Sequence, residues 1–196
     1  MKRITAFSFG YFGWGNATPQ LVRAADAVER ERGFRPPIFV DCRFKRSVRA
    51  AGFVGNAFGD LLGPNRHRWM KGLGNEQIGS RTGPRIRIHE PAAADDLLDL
   101  IFEANDDGRR VIFFCSCEWP KQEGKIHCHR TTVGTLLLRS ARKRDVRLEV
   151  VEWPGGKPTV LWLFYDPKTG LDRYRTAAAN FRRERGYSSR SSIFSG

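Results

Sequence analysis

The chain has 196 residues, with 34 Lys and Arg against 21 Asp and Glu and a net charge of +13. That length suits one α/β domain with its own core and is short for two, and no segment reads as a linker. No apolar run approaches the roughly 18 residues of a membrane span, and Met1-Lys2-Arg3-Ile4 leads into a strand rather than a signal-peptide core, so the expectation is a cytoplasmic protein without a membrane partner.

The first strand is predicted over Arg3 to Phe9, followed by the glycine- and aromatic-rich loop Gly10-Tyr11-Phe12-Gly13-Trp14-Gly15-Asn16. Thr18-Pro19 then opens a helix, with Thr18 as N-cap and Pro19 in the first turn, where its missing N–H costs nothing. Leu21, Ala25 and Val28 form the buried stripe of that helix, and Gly33 marks its end. Pro37 to Val40 is the second strand, running into Asp41-Cys42-Arg43. From Phe44 to Arg87 the chain is weakly periodic, which predicts loops and short helices over the ligand edge of the sheet.

An amphipathic helix follows Pro91, with Ala94, Leu97, Leu98, Ile101 and Phe102 on one face. Val111 to Phe114, after the turn signal Asn105-Asp106-Asp107-Gly108, reads as a buried parallel strand. Val133, Leu136 and Leu137 recur at helical spacing after Cys128. Leu148 to Trp153 and Thr159 to Tyr165 are two strands whose connection, Pro154 to Pro158, is too short for a parallel crossover and so predicts an edge hairpin. Leu171, Tyr174, Ala178 and Phe181 give a C-terminal helix with a basic outer face, and a loose tail follows Gly186.

This order of elements predicts a Rossmann-like α/β fold. Its sheet is mainly parallel with helices on both faces; residues 1–165 form the domain and 166–196 a basic helix and tail. Ligands of such sheets bind outside the carboxyl ends of the strands. The crevice is therefore expected between Ser8 to Asn16, Asp41 to Arg49 and Cys115 to Arg130.

Charge is unevenly placed. Cys42 to His89 holds ten basic residues and two acids, Asp60 and Glu76, for a local charge of +8. Such an excess attracts polyanions, because neutralising phosphates releases counterions, so nucleic acid or a nucleotide is the expected partner.

Chemistry concentrates after the Val111 strand. Cys115-Ser116-Cys117-Glu118 and His127-Cys128-His129-Arg130 bring three of the four cysteines and two of the four histidines within 15 residues. Cys128, His129 and Arg130 fall at a helix start, where unpaired N–H groups favour an anion and depress a thiol's pKa. Cys42, Cys115, Cys117 and Cys128 lack the pattern of a disulfide scaffold, so free thiols or metal ligands are expected.

Three functions fit this cluster. In the first, an enzyme acts on a phosphate-bearing substrate: Cys128 is the thiolate, Glu118 or His129 moves a proton, Arg130 and Arg43 hold an anion, and Asp41 is a carboxylate at a strand end. In its bland counterpart, Cys115 packs as a small apolar residue and Glu118 pairs with Arg130. In the second, Cys115, Cys117, Cys128 and His127 or His129 hold zinc, although Cys-x-Cys is not the usual knuckle and a strand end inside a sheet leaves little room for a cage. In the third, a non-catalytic module binds nucleic acid, with Tyr11, Phe12 and Trp14 stacking on bases while Arg43, Lys45 and Arg46 follow phosphates. The residue types lean towards an enzyme and leave the choice open. His67 and His89, isolated in basic stretches, receive no role.

The pair of motifs Cys115-Ser116-Cys117-Glu118 and Cys128-His129-Arg130 resembles the bacterial domain of unknown function 488 family, in which a strand ends in Cys-x-Glu and a loop leads to Cys-His-Arg at a helix start. Asp41-Cys42-Arg43 is similar to that family's Asp-x-Arg, and Leu73-Gly74-Asn75 to its Leu-Gly-Gly turn. The likeness spans roughly Ile4 to Trp153. Here two cysteines precede Glu118, the loop from Trp119 to His127 is longer, and Ser8-Phe9-Gly10-Tyr11 stands where the family has Gly-His-Ser. The resemblance implies a Rossmann-like α/β fold and no settled reaction.

Overall fold

Four apolar runs become neighbouring strands: β1 (Ile4–Gly10), β2 (Ile38–Asp41), β4 (Val111–Cys115) and β7 (Leu148–Glu152), with a short β3 (His67–Trp69) beside β2. The computed structural model describes residues 4–15, 17–80, 85–117, 121–122, 125–126 and 128–155. These five strands form one sheet in the order β3-β2-β4-β1-β7, and every pairing is parallel. Two further short strands, β5 (Lys121–Gln122) and β6 (Lys125–Ile126), pair antiparallel in the loop after β4.

Four α-helices complete the described fold: α1 (Thr18–Glu31), α2 (Ala57–Leu62), α3 (Ala93–Asp106) and α4 (His129–Lys143). The period-two alternation of the strands sorts their side chains between the two faces. Phe7, Phe9, Phe39, Ile112 and Phe114 pack against Leu21, Ala25 and Val28 of α1 and Phe58 of α2. Ala6, Ile38, Val40, Val111 and Phe113 pack on the other face against Leu97, Leu98 and Ile101 of α3 and Val133 and Leu137 of α4. Each such buried aliphatic or aromatic side chain contributes about 1.5–3 kcal/mol.

The connections set where a ligand can enter. From β1 the chain crosses by α1, past β4, to β2 and then β3; it returns by α3 to β4 and crosses by α4, past β1, to β7. Right-handed crossovers running in opposite directions put their helices on opposite faces, which explains α1 on one side and α3 with α4 on the other. The adjacent strands β1 and β4 thus send their following loops to opposite faces.

Some boundaries differ from the sequence expectation. Ala17, not Thr18, is the N-cap of α1, and no side chain caps it. Gly33 has φ +81°, the left-handed conformation that glycine accepts without a Cβ penalty. β3 was not anticipated, because His67-Arg68-Trp69 shows no alternation and becomes a strand only by pairing with Phe39 to Asp41. The expected strand Thr159 to Tyr165, its hairpin, and the basic helix and tail of 166–196 lie outside the described residues. Among the described residues no helix is long and apolar enough to cross a membrane.

Candidate functional site

Cys128 is the N-cap of α4, with extended φ/ψ and a sulfur that accepts from the Arg130 backbone N–H at 3.4 Å. Cysteine here fills the place usually taken by a serine or aspartate oxygen. Cys115, the last residue of β4, shares the sheet face of Val111 and Phe113, which is the face α4 covers. Strand parity and the helix start together bring the two sulfurs to 3.0 Å. Cys117 lies two residues beyond the strand end, and its N–H donates to Cys115 Sγ at 3.3 Å. The three sulfurs lie within 4.8 Å of one another, a set that can hold a metal ion.

Room for this set comes from Gly10, which pairs in register with Cys115. A Cβ at Gly10 would collide with the Cys117 carbonyl oxygen and lie 2.8 Å from Arg130 Nη2. The expected crowding at a strand end is therefore relieved by a residue without a side chain.

Arg130 organises the surroundings. Its Nε donates to Cys128 Sγ at 3.4 Å, its Nη2 donates to the Cys117 carbonyl at 3.1 Å, and its Nη1 pairs with the Glu152 carboxylate. Glu152 also accepts from the Ser8 hydroxyl, because β1 and β7 pair with Ser8 opposite Glu152. Neither Ser8 nor Glu152 was singled out from the sequence. Their signal was a hydroxyl and a carboxylate on strand faces otherwise apolar, in line with Ala6 and Val150.

Electrostatics divides the thiols. Hydrogen bonds from Cys115 and then Cys117, with the Arg130 cation beside them, hold the Cys128 thiol far below the usual range against the opposing effect of burial. Burial and the hydrogen bonds to Cys117 and Cys128 push Cys115 well up. For Cys117 a hydrogen bond with Cys115 pulls down, while the one to Cys128 and burial win and raise it to about 11. Cys128 is thus the most acidic of the three sulfurs, with the paired Arg130 beside it.

His129 Nε2 donates to the Cys42 carbonyl at 2.8 Å, so in the neutral ring the bare Nδ1 faces Cys128 Sγ at 3.9 Å. Cys42 itself is buried and donates to the Val40 carbonyl, outside the sulfur cluster. Glu118 and His127, expected as proton carrier and metal ligand, lie outside the described residues. Among the described residues the carboxylate facing Arg130 is Glu152.

Asp41 and Arg43 belong to the other face of the sheet. Arg43 grips Asp41 through Nε at 2.8 Å and Nη2 at 2.5 Å, and its Nη1 donates to the Tyr11 hydroxyl at 3.1 Å and the Phe53 carbonyl at 2.8 Å. Both side chains are buried. The pair ties the loop after β1 to the loop after β2, and its guanidinium is turned inward. The expectation that Arg43 and Arg130 bind an external anion meets two guanidinium groups already held by internal acceptors.

Tyr11 and Trp14, expected to stack on bases, are each 3% exposed, and Tyr11 lies flat on Phe53 with ring centroids 3.8 Å apart. Their place in the core follows from the loop turning back over Phe53 and α1. Phe12, between them, is 58% exposed. Lys45 is exposed, and the Arg46 guanidinium covers the Trp69 ring at 3.9 Å. Beside them a cavity of about 640 Å³ opens at the carboxyl ends of β1, β2 and β4, with Ser116 on its wall. The expected crevice exists, but the sulfurs lie mostly beneath its surface: Cys115 and Cys128 are each 1% exposed and Cys117 is half-buried.

No protein-family model, curated protein or solved structure matches this chain, so the likeness to the domain of unknown function 488 family rests on its motifs alone.

Proposed function

We propose that this protein is a metal-thiolate protein in which Cys115, Cys117 and Cys128 bind zinc, with the His129 imidazole, 3.9 Å from Cys128 Sγ and outside the group of three sulfurs, moving in as the fourth ligand. The observation that carries this reading is the convergence of three sulfurs within 4.8 Å. Zinc–sulfur bonds of about 2.3 Å set the sulfurs of a tetrahedral site roughly 3.8 Å apart. Cys115 and Cys128, at 3.0 Å, would spread by less than about 1 Å.

The hydrogen bonds around the cluster support it. Backbone N–H groups of Cys117 and Arg130 already point at two of the sulfurs. A ligating histidine characteristically donates its other ring N–H to a carbonyl, as His129 Nε2 does to Cys42. Three thiolates, a neutral imidazole and Zn²⁺ carry one negative charge, and the Arg130 cation, shared with Glu152, lies beside it. A nucleophilic role for Cys128 has less support, since the residue is 1% exposed, and the neighbouring Cys128 and burial push the thiol of the more open Cys117 up.

Four protein ligands make a closed site that ties the end of β4 to the start of α4. Freshly purified, untagged, reduced protein should contain about one zinc per chain, and exchange for cobalt(II) should give a sulfur-to-cobalt charge-transfer band. Cys117→Ser and Cys128→Ser should lose the metal, and His129→Gln should weaken it at least tenfold. Reduced, folded protein that carries no zinc and takes up no cobalt overturns the proposal.

A further inference from the structure

The cavity over β1, β2 and β4 sits where the chain reverses direction in the sheet. Loops after β1 and β4 leave adjacent strands for opposite faces, and a crevice between such loops is where open parallel sheets hold ligands. Its volume, about 640 Å³, falls within the range of small-molecule sites.

Its walls have two characters. Phe12, 58% exposed, and Val54, 45% exposed, stand with Val48 as an open apolar surface. Arg49 is the one charged side chain among the described residues of the lining, accompanied by the Ser47 and Ser116 hydroxyls and by no carboxylate. Lys45 and Arg46 adjoin it in the chain, so the field at this rim is positive. Arg43 beneath is neutralised by Asp41 and fixes the two loops in place.

We infer that this cavity binds a nucleoside phosphate, with the base against Phe12 and the valines and the phosphate at Arg49 and the two hydroxyls. A flat apolar body joined to an anion is the chemistry that both walls satisfy together, since aromatic faces stack on any base and guanidinium groups pair with phosphate oxygens. The same chemistry is offered by a free nucleotide and by the end of a nucleic-acid strand. This site shares Ser116 with the segment that carries the sulfur cluster, while Phe12, the valines and Arg49 lie outside that cluster.

Full-length protein would be titrated calorimetrically at low salt with ATP, GTP and AMP, with six-nucleotide single-stranded DNA and RNA, and with inorganic pyrophosphate. Saturable binding of at least one nucleotide or oligomer is expected, weakened tenfold or more by Phe12→Ala and by Arg49→Gln. Arg139→Gln, the same charge change near the far end of α4, should leave it unaltered. Comparable affinity for mononucleotides and oligomers assigns the site to the free nucleotide, and oligomer binding alone assigns it to a strand; either supports the inference. Binding of none at millimolar concentration, pyrophosphate binding as tightly as the nucleotides, or indifference to both cavity variants overturns it.

Discussion

Adding one methyl group at Gly10 isolates the packing of the sulfur cluster from its chemistry. Gly10 has no left-handed backbone angle, so Ala meets no conformational penalty in β1 and the whole effect is steric. The new Cβ would collide with the Cys117 carbonyl oxygen, a backbone atom, and lie 2.8 Å from Arg130 Nη2. Overpacking of this kind costs about 1–3 kcal/mol. Moving Cys117 away also breaks the charged hydrogen bond from Arg130 Nη2, worth about 1.5–3 kcal/mol. Gly10→Ala is expected to lose about 3–5 kcal/mol, a large share of the roughly 5–15 kcal/mol typical of a domain. The internal control is Gly134→Ala in α4, whose Cβ would make ordinary contact with Val150 at 3.4 Å and should stabilise by about 0.5–1 kcal/mol. Urea unfolding of the reduced proteins, followed by circular dichroism and tryptophan fluorescence, measures both. If Gly10→Ala stays within about 0.5 kcal/mol of the parent, Cys117 does not pack against β1 as described and the placement of the cluster is refuted.

Two further outcomes follow from buried charge. Arg130→Met removes the cation from a buried carboxylate and should cost about 3–5 kcal/mol, while Arg130→Met with Glu152→Met should recover part of that loss; a double-mutant cycle with no coupling would contradict the pair. His67 stands edge-on to Phe58, with a buried Nε2 that has no partner, and burial lowers its pKa; Asp41 pulls it up and Arg46, Arg43 and Arg68 push it down. Because the neutral ring is favoured in the fold, its contribution is fully present above the unfolded value of about 6.5 and is lost as pH falls through the lower folded value. His67→Phe should flatten the stability profile below about pH 6.5, and an unchanged acid slope would remove His67 as its source.

Much of the scaffold is readable from hydrophobic period. The runs Ile4 to Gly10, Ile38 to Val40 and Val111 to Phe114, and the stripes of α1, α3 and α4, must be buried wherever they fold, so each declares its element locally. The placement of Cys128 at a helix start is legible in the same way, since the helical spacing of Val133 and Leu137 begins just after it. β3 is not, because three residues without alternation acquire strand geometry only from a neighbour.

Site membership is a matter of parity and register. Asp41 and Arg43 alternate with Cys42, so the pleat sends the carboxylate–guanidinium clamp to the α1 face and leaves the sulfur cluster on the α4 face. Tyr11 and Trp14 were plausible stacking platforms in a glycine-rich loop, yet the loop's return over Phe53 puts them inside and Phe12 outside. Glu152 meets Arg130 because β7 pairs with β1 at Ser8, a choice made across 144 residues of chain.

By itself, then, the order of residues determined the alternation of strands and helices, the parallel sheet it implies and the concentration of sulfur and imidazole at one strand-to-helix turn. Those depend on local period and on the chain's need to bury its apolar runs. Only the tertiary structure decided that three sulfurs meet beneath the surface, that Arg130 answers Glu152, and that Phe12 and Arg49 line the open cavity. Such contacts depend on strand register and on the space left by a single missing side chain at Gly10, which no local pattern encodes.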